Sequence, residues 1–433
     1  SEPSGAFNSG TVGETLTVGK MLALQCLFLD DRLVFTYGRR TDAFKFKQNS
    51  TTLIDPTAST KPAGSRPWYW NQNTWVDNVA VPNANDNPAV SRTARNQTKG
   101  VVVFPLRWLS AFYNESGNAG SGRGGIDPNG GYAPPSAGTG KDYGFTIQLF
   151  KGRLALKVNK YESSQTNNSS AAFDGVKYLV KSAELRMEEL ALGHPEVAFK
   201  PTTWNYNDNT TAVTSDFVSH GFEYTLTANI TPHWRTSFTA AKTASVESNI
   251  APSWHKYVAA RMPEWNKLDS YPMSEGGTQS IKDCVSYNIF YKYLDRADLL
   301  EGQPTLNVRK WRANFVTGYD FTKGFPKNVG IGGAVRWRSK GVIGLPVILR
   351  SDGSTIPDIK HPYYDDGLTD IDGWISYKMR LWNEKVPVRF QLNVRNIFDD
   401  RKLLPQVALS TGERVLFTAQ TPRLFIFSAA FDL

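Results

Sequence analysis

The stretch SRPWYWNQNTWVDN (residues 65–78) gathers four large aromatic side chains, Trp68, Tyr69, Trp70 and Trp75. Rings of this kind stack on a sugar ring or on an aromatic chelating group, and Asn71, Gln72 and Asn73 beside them supply hydrogen-bond donors and acceptors. The same rings can instead pack a long loop against its neighbours, or mark a membrane boundary. A second set of chemically capable residues is cationic. Arg336, Arg338, Lys378, Arg380, Arg389 and Arg395 recur at alternate positions in three short segments, each opposite an apolar residue. Such spacing lines one face of a sheet with positive charge.

No catalytic constellation emerges, and neither a catalytic residue nor a cofactor is expected. The histidines His194, His220, His233, His255 and His361 form no H-E-x-x-H pattern and lie near no nucleophile motif. Cys26 and Cys284 match no metal or redox spacing and read as unpaired thiols. GSGRGG (120–125) lacks the strand and helix a phosphate loop needs, so it reads as a flexible loop. The acid and amide clusters NANDNP, NYNDN and YYDDGLTDID have oxygen ligands suited to Ca²⁺. Solvated turns are the simpler reading, and no metal ligand is assigned.

The elements that position these residues are strands. Charged residues make up 21% of the chain and aromatics 12%, with a mean hydropathy of −0.39. No apolar run reaches the roughly 18 residues that a membrane-spanning helix needs. That excludes a helical membrane protein but not a membrane β-barrel, whose alternating strands keep average hydropathy low. The net charge of +9 is scattered without a basic tail or helix, so nucleic acid is not an expected partner. In VPVRFQLNVRNIFDD (386–400), Val388, Phe390, Leu392 and Val394 alternate with Arg389, Gln391, Asn393 and Arg395. TDIDGWISYKMRLW, NVGIGGAVRWRSK, RKWRANFVTGYDF and HGFEYTLTANI repeat the pattern, and the spacing predicts about thirteen strands.

Short links of two to six residues, such as DD, PL, KG, TPH, TKGFPK and NEK, alternate with long connections over roughly 47–95, 115–141, 162–214, 247–308, 341–366 and 399–420. Structureless loops beyond about 15 residues are uncommon in soluble domains. Short turns at one end and long loops at the other are the layout of an outer-membrane barrel. Two long connections carry helical patterns, VKYLVKSAELRMEELAL and the stretch around IKDCVSYNIFYKYL. Trp234, Trp311, Trp337, Tyr319 and Phe321 fall near strand ends, where aromatic girdles sit.

LNVRNIFDDRKL resembles the penultimate strand of TonB-dependent outer-membrane receptors, and TPRLFIFSAAFDL resembles their closing strand. TYGRRTDAFKF and HGFEYTLTANITPHWRTSFTAA resemble earlier strands, so the likeness runs from about residue 17 to 433. The resemblance implies an all-β, transmembrane antiparallel barrel with long extracellular loops bearing short helices. Family members resemble a 22-stranded barrel preceded by a plug domain. No plug-like segment is recognised here, so residues 1–433 are expected to be the C-terminal portion, with about nine strands missing and the sheet open. The implied function is active import across the outer membrane of a Gram-negative bacterium. An iron–siderophore, cobalamin or glycan would bind the loops, and a TonB–ExbB–ExbD complex would supply energy through the plug. Outer-membrane lipid would surround the apolar face, and Arg336, Arg338, Lys378, Arg380, Arg389 and Arg395 would line the lumen. A passive porin-like channel and a secreted all-β carbohydrate-binding or adhesin protein are the alternatives.

Replacing Trp70 and Trp75 with alanine in the full-length protein is expected to weaken ligand uptake while sparing barrel assembly. Ligand affinity unchanged from wild type would remove the stacking role.

Overall fold

The computed structural model describes residues 9–53, 80–82, 87–120, 127–128, 135–169, 173, 175–203, 212–351, 355–382 and 386–431. Thirteen strands follow one another in an antiparallel sheet: β1 (Ser9–Phe28), β2 (Leu33–Leu53), β3 (Asn87–Leu106), β4 (Leu109–Ala119), β5 (Ala137–Leu149), β6 (Leu154–Ser169), β7 (Thr214–Thr231), β8 (Trp234–Ser248), β9 (Trp311–Asp320), β10 (Val329–Arg338), β11 (Leu368–Leu381), β12 (Val386–Arg395) and β13 (Leu424–Phe431). Each strand pairs with its sequence neighbour, and β1 and β13 do not pair with each other. The short segment Ala80–Pro82 adds to the far end of β2.

The register aligns residue types across strands. Trp234, Tyr319, Ile331, Ile375, Leu392 and Phe427 stand opposite one another in turn from β8 to β13. A parallel row runs Leu109, Ile147, Leu156, Leu226, Phe238, Phe315, Val335 and Ile371. Side chains two residues apart share a face, so these rows belong to one apolar face. Ile331, Ile375, Phe315, Phe427 and Tyr377 are all exposed on it. Val388 belongs to the same face but is buried, flanked in register by Met379 and Phe431.

The opposite face is mainly polar, with Phe44, Phe112 and Trp374 among its large apolar exceptions. Trp374 points to it, and glycines make room for the indole. A Cβ built on Gly332 would lie 2.0 Å from Trp374 Cζ2, and one on Gly318 3.0 Å away. Gly332 of NVGIGGAVRWRSK and Gly318 of the neighbouring strand therefore form a floor for a tryptophan. The short links turn through left-handed backbone, as at Leu29, Asp30 and Asp31 and again at Gly152. The NEK link lies outside the described residues.

The strands run well past the length that alternation alone predicts. Polar segments such as SSQTN in β6 and TSDF in β7 continue the ladder, because an extended polar chain beside a strand gains backbone hydrogen bonds wherever water is its only competitor. The β1 to β3 strands are 20, 21 and 20 residues long, about twice the 9–11 that cross a bilayer. Connections expected as loops therefore begin as sheet. Two also hold hairpins of their own, Val347–Leu349 with Thr355–Pro357 and Leu403–Ala408 with Arg414–Ala419.

The helices lie at the long-connection end. They are α1 (Val176–Gly193), α2 (Pro252–Trp265) and α3, which starts as Ile281–Cys284, passes through the π-helical Val285–Leu294 and ends as Asp295–Leu300. Both helical patterns read from sequence are present, and α2 is additional. Pro263 inside it reads as a helix breaker, although Pro252 at its start and Trp254, Tyr257, Val258 and Trp265 on one buried stripe were its signal. The largest cluster of buried apolar residues sits among these helices, around Trp254, Trp265, Met187 and Ile289. No described helix is long and apolar enough to cross a membrane.

Gly332→Leu is expected to destabilise the sheet by about 1–3 kcal/mol, since the new side chain and the Trp374 indole claim the same volume. Denaturant unfolding in detergent micelles checks this, and an unchanged midpoint would show that the indole does not rest on the strand.

Candidate functional site

Parity along β10, β11 and β12 places Arg336, Arg338, Lys378, Arg380, Arg389 and Arg395 on one face, the polar one. They divide into two groups. Lys378 stands directly opposite Arg389, with Arg380 and Lys327 beside them, around a cleft of about 730 Å³ at the short-turn end. Like charges opposed in this way repel. Asp320, 3.3 Å from Lys378 Nζ, offsets part of that repulsion. The second group lies toward the long connections. Arg336 pairs with Asp372 at 2.8 Å. Arg395 is exposed, and Arg338 has a buried Nε without a hydrogen-bond partner.

The acids of YYDDGLTDID are all engaged. Asp365 is buried and pairs with buried Arg309 at 2.5 Å, while its other oxygen accepts from the Gly341 and Gly367 backbone N–H groups. Asp366 faces Arg414 at 3.4 Å, and Asp370 accepts from Gln420 at 2.8 Å. These carboxylates serve as structural pins. Among the described residues no group of three or more His, Cys, Asp or Glu side chains is arranged to hold a metal. Cys26 and Cys284 are both free thiols. Trp68, Tyr69, Trp70 and Trp75 lie outside the described residues, as do GSGRGG beyond Gly120, NYNDN and most of NANDNP.

NIFDD and TPR, far apart in sequence, form one latch at the tops of β12 and β13. Asn396 adopts left-handed backbone (φ 49°), which asparagine tolerates better than most residues. Its amide Nδ2 donates to the carbonyls of Asp400 and Thr421 at 2.8 and 2.9 Å, and its Oδ1 accepts from Asp400 N–H at 3.1 Å. Its own N–H donates to Asp372 at 3.0 Å, which ties the latch to the Arg336 pair. Asp399 accepts from the Arg401 guanidinium at 2.9 Å and from Arg423 N–H at 2.8 Å. The Arg401 hydrogen bond foremost, then that of Arg423, holds the Asp399 carboxyl below its usual range.

A second polar centre lies inside the helical cap. Glu184 of α1 is fully buried, and three side chains of α2 spaced four residues apart converge on it. Tyr257 Oη and Trp265 Nε1 donate to Oε1 at 3.1 and 2.9 Å, and Arg261 donates to both oxygens at 2.5 and 2.7 Å. Burial, then the Glu184 charge, pushes the Tyr257 hydroxyl well above its ordinary range, so it stays a donor. The network binds the 162–214 connection to the 247–308 connection as one body. Sequence reasoning missed it because Glu184 is one of three glutamates in a charge-balanced, outwardly ordinary helix.

No family model and no curated protein matches this sequence. Solved structures do match. The ferric-catecholate import receptor Fiu of E. coli K12 in its closed form superposes with a TM-score of 0.53 at 14% identity, over 97% of this chain and 45% of that one. The ferric yersiniabactin uptake receptor FyuA of Yersinia pestis gives 0.52 at 9% identity, over 98% and 46%. The ferripyoverdine receptor of the Pseudomonas aeruginosa outer membrane gives 0.50 at 13%, over 97% and 49%. The chain spans less than half the length of each. Its fold is that of the TonB-dependent outer-membrane receptor barrels.

Three outcomes follow from the latch and the cap. Asn396→Ala leaves two carbonyls unpaired and is expected to cost about 1–3 kcal/mol, seen as faster amide hydrogen exchange at 421–424. Glu184→Ala strands Arg261 and is expected to cost about 3–5 kcal/mol, seen as proteolysis within 162–308 while the sheet stays intact. Because the folded Asp399 pKa is depressed, its contribution is present above the unfolded value of about 3.9 and is lost as pH falls below it. Protection of the amides at 396–401 relative to the unfolded exchange rate should therefore fall only in acid, and Asp399→Asn should abolish that pH dependence.

Proposed function

We propose that this chain forms the C-terminal part of the wall and outer loops of an import receptor in the outer membrane of a Gram-negative bacterium. The observation that carries the reading is the two-faced sheet, with the long connections and the helices at one end and short turns at the other among the described residues. Rows of exposed and half-exposed apolar side chains suit lipid, and a face of arginine, lysine and amide groups suits a wet lumen or a polar plug domain. Both terminal strands offer an unpaired edge, which further strands of a 22-stranded wall would satisfy. The receptors named above share this fold and carry ferric chelates, which favours an iron–siderophore over cobalamin or a glycan. In this reading the ligand lands on the long loops, including the Trp68–Trp75 stretch, and the TonB–ExbB–ExbD complex drives its passage.

The cationic group Lys378, Arg380, Arg389 and Lys327 would then face the plug or an anionic chelate near the short-turn end. Asp320 pairs with Lys378, and an acidic plug surface or ligand fits beside this group.

Import by the full-length protein is expected to stop when TonB is deleted and to saturate with ligand concentration. Uptake that persists without TonB and rises linearly would identify a passive channel instead. A protein that stays in the aqueous phase on detergent phase separation would overturn the membrane assignment altogether.

A further inference from the structure

Two lysines interrupt the apolar face at its upper margin. Register sets Val101, Tyr113, Tyr143, Lys160, Phe222, Lys242 and Trp311 opposite one another from β3 to β9. Both lysines are exposed. Lys160 Nζ lies 5.5 Å from the Tyr143 ring centre and 5.9 Å from that of Phe222, and Lys242 Nζ lies 5.8 Å from Trp311. Ring faces attract ammonium groups without filling all their N–H donors, and of the two lysines Lys160 also meets the Tyr143 hydroxyl. Neither lysine makes an ion pair with a carboxylate among the described residues. Of the acids on this face one row higher, Glu115 accepts from Tyr113 and Glu162 stands in register with Lys141 and His220.

The row directly below is apolar and uneven. It runs Phe145, Val158, Tyr224, Ala240, Ala313 and Trp337, so two alanines lie between Tyr224 and Trp337. Phe238 and Phe315 close the bottom of this gap. Strands are about 4.8 Å apart, which makes a two-strand groove wide enough for a hydrocarbon chain. Past Trp311 the cationic margin continues into a cleft of about 940 Å³ lined by Lys310, Lys340 and Lys402. Asp366 and Asp400 also line it, the first facing Arg414 and the second Lys402.

We propose that Lys160 and Lys242 hold the phosphate of an anionic membrane lipid, with an acyl chain seated over Ala240 and Ala313 between Tyr224 and Trp337. The proposal rests on the reading of the apolar face as lipid-facing. It commits to a lipid rather than free phosphate because the lysines open onto the groove and not onto the polar face. A headgroup phosphate offers both ammonium groups charged acceptor oxygens, where Lys160 otherwise has only the Tyr143 hydroxyl, and the Phe222 ring between the two lysines fixes its position.

The test uses the full-length protein in neutral detergent, with dioleoyl phosphatidic acid and dioleoyl phosphatidylcholine as probes and native mass spectrometry as the readout. Wild type should retain phosphatidic acid at least about tenfold better, as expected for two lysines near a charged headgroup. K160Q/K242Q should lose that preference, and A240L/A313L, with its charges intact, should weaken retention of both lipids. Unchanged heat-modifiable mobility on gels confirms that each variant is folded. Equal retention of the two lipids by a detergent-partitioning wild type overturns this inference while leaving the import-receptor reading standing. Full competition by inorganic phosphate overturns it too, since a free-anion site would then be present. Failure of the protein to enter the detergent phase sinks both readings together.

Discussion

Register is the constraint on which the rest of the structure depends. A strand has a side-chain period of two, so a slip of one residue would carry every apolar side chain to the polar face. The rows ending at Phe427 and Ile371 hold only if nine strand pairings are each set correctly. Several features pin them. Trp374 fits only over Gly332 and Gly318, and Gly330 is hemmed by Asp320 and Ser376. Each of these contacts would be a clash in a shifted register.

The latch at the top of β12 serves the same end. Asn396 joins the exit of one strand to the approach of the next through two carbonyls more than twenty residues apart in the chain. The Leu403–Ala408 and Arg414–Ala419 hairpin can then extend outward without loosening the β12–β13 pairing. The motif that most resembles a receptor family is thus a structural device, and its residues need not touch a ligand.

The helical cap follows different physics. Its core is apolar and water-excluding, and it tolerates one buried carboxylate because three donors from one helix face satisfy it. The strands depend on alternation and backbone pairing, whereas the cap depends on packing and one polar knot. Coupling the two longest helical connections makes the loop end a shaped surface.

The alternation of VPVRFQLNVR and its relatives determined the strands, their number and their two faces, because period two is local and survives without knowledge of neighbours. Alternating short and long links determined which end carries the loops, and VKYLVKSAELRMEELAL and IKDCVSYNIFYKYL determined two of the helices. Other features were decided only in three dimensions. The strands outran their apolar segments because polar chain pairs wherever a neighbour offers a ladder. The α2 helix formed despite Pro263 because its Trp254 and Trp265 stripe found a core. Lys160 and Lys242 look like ordinary surface charges in sequence. Only the register set them between Tyr143, Phe222 and Trp311, since cross-strand neighbours are fixed by pairing and not by proximity along the chain.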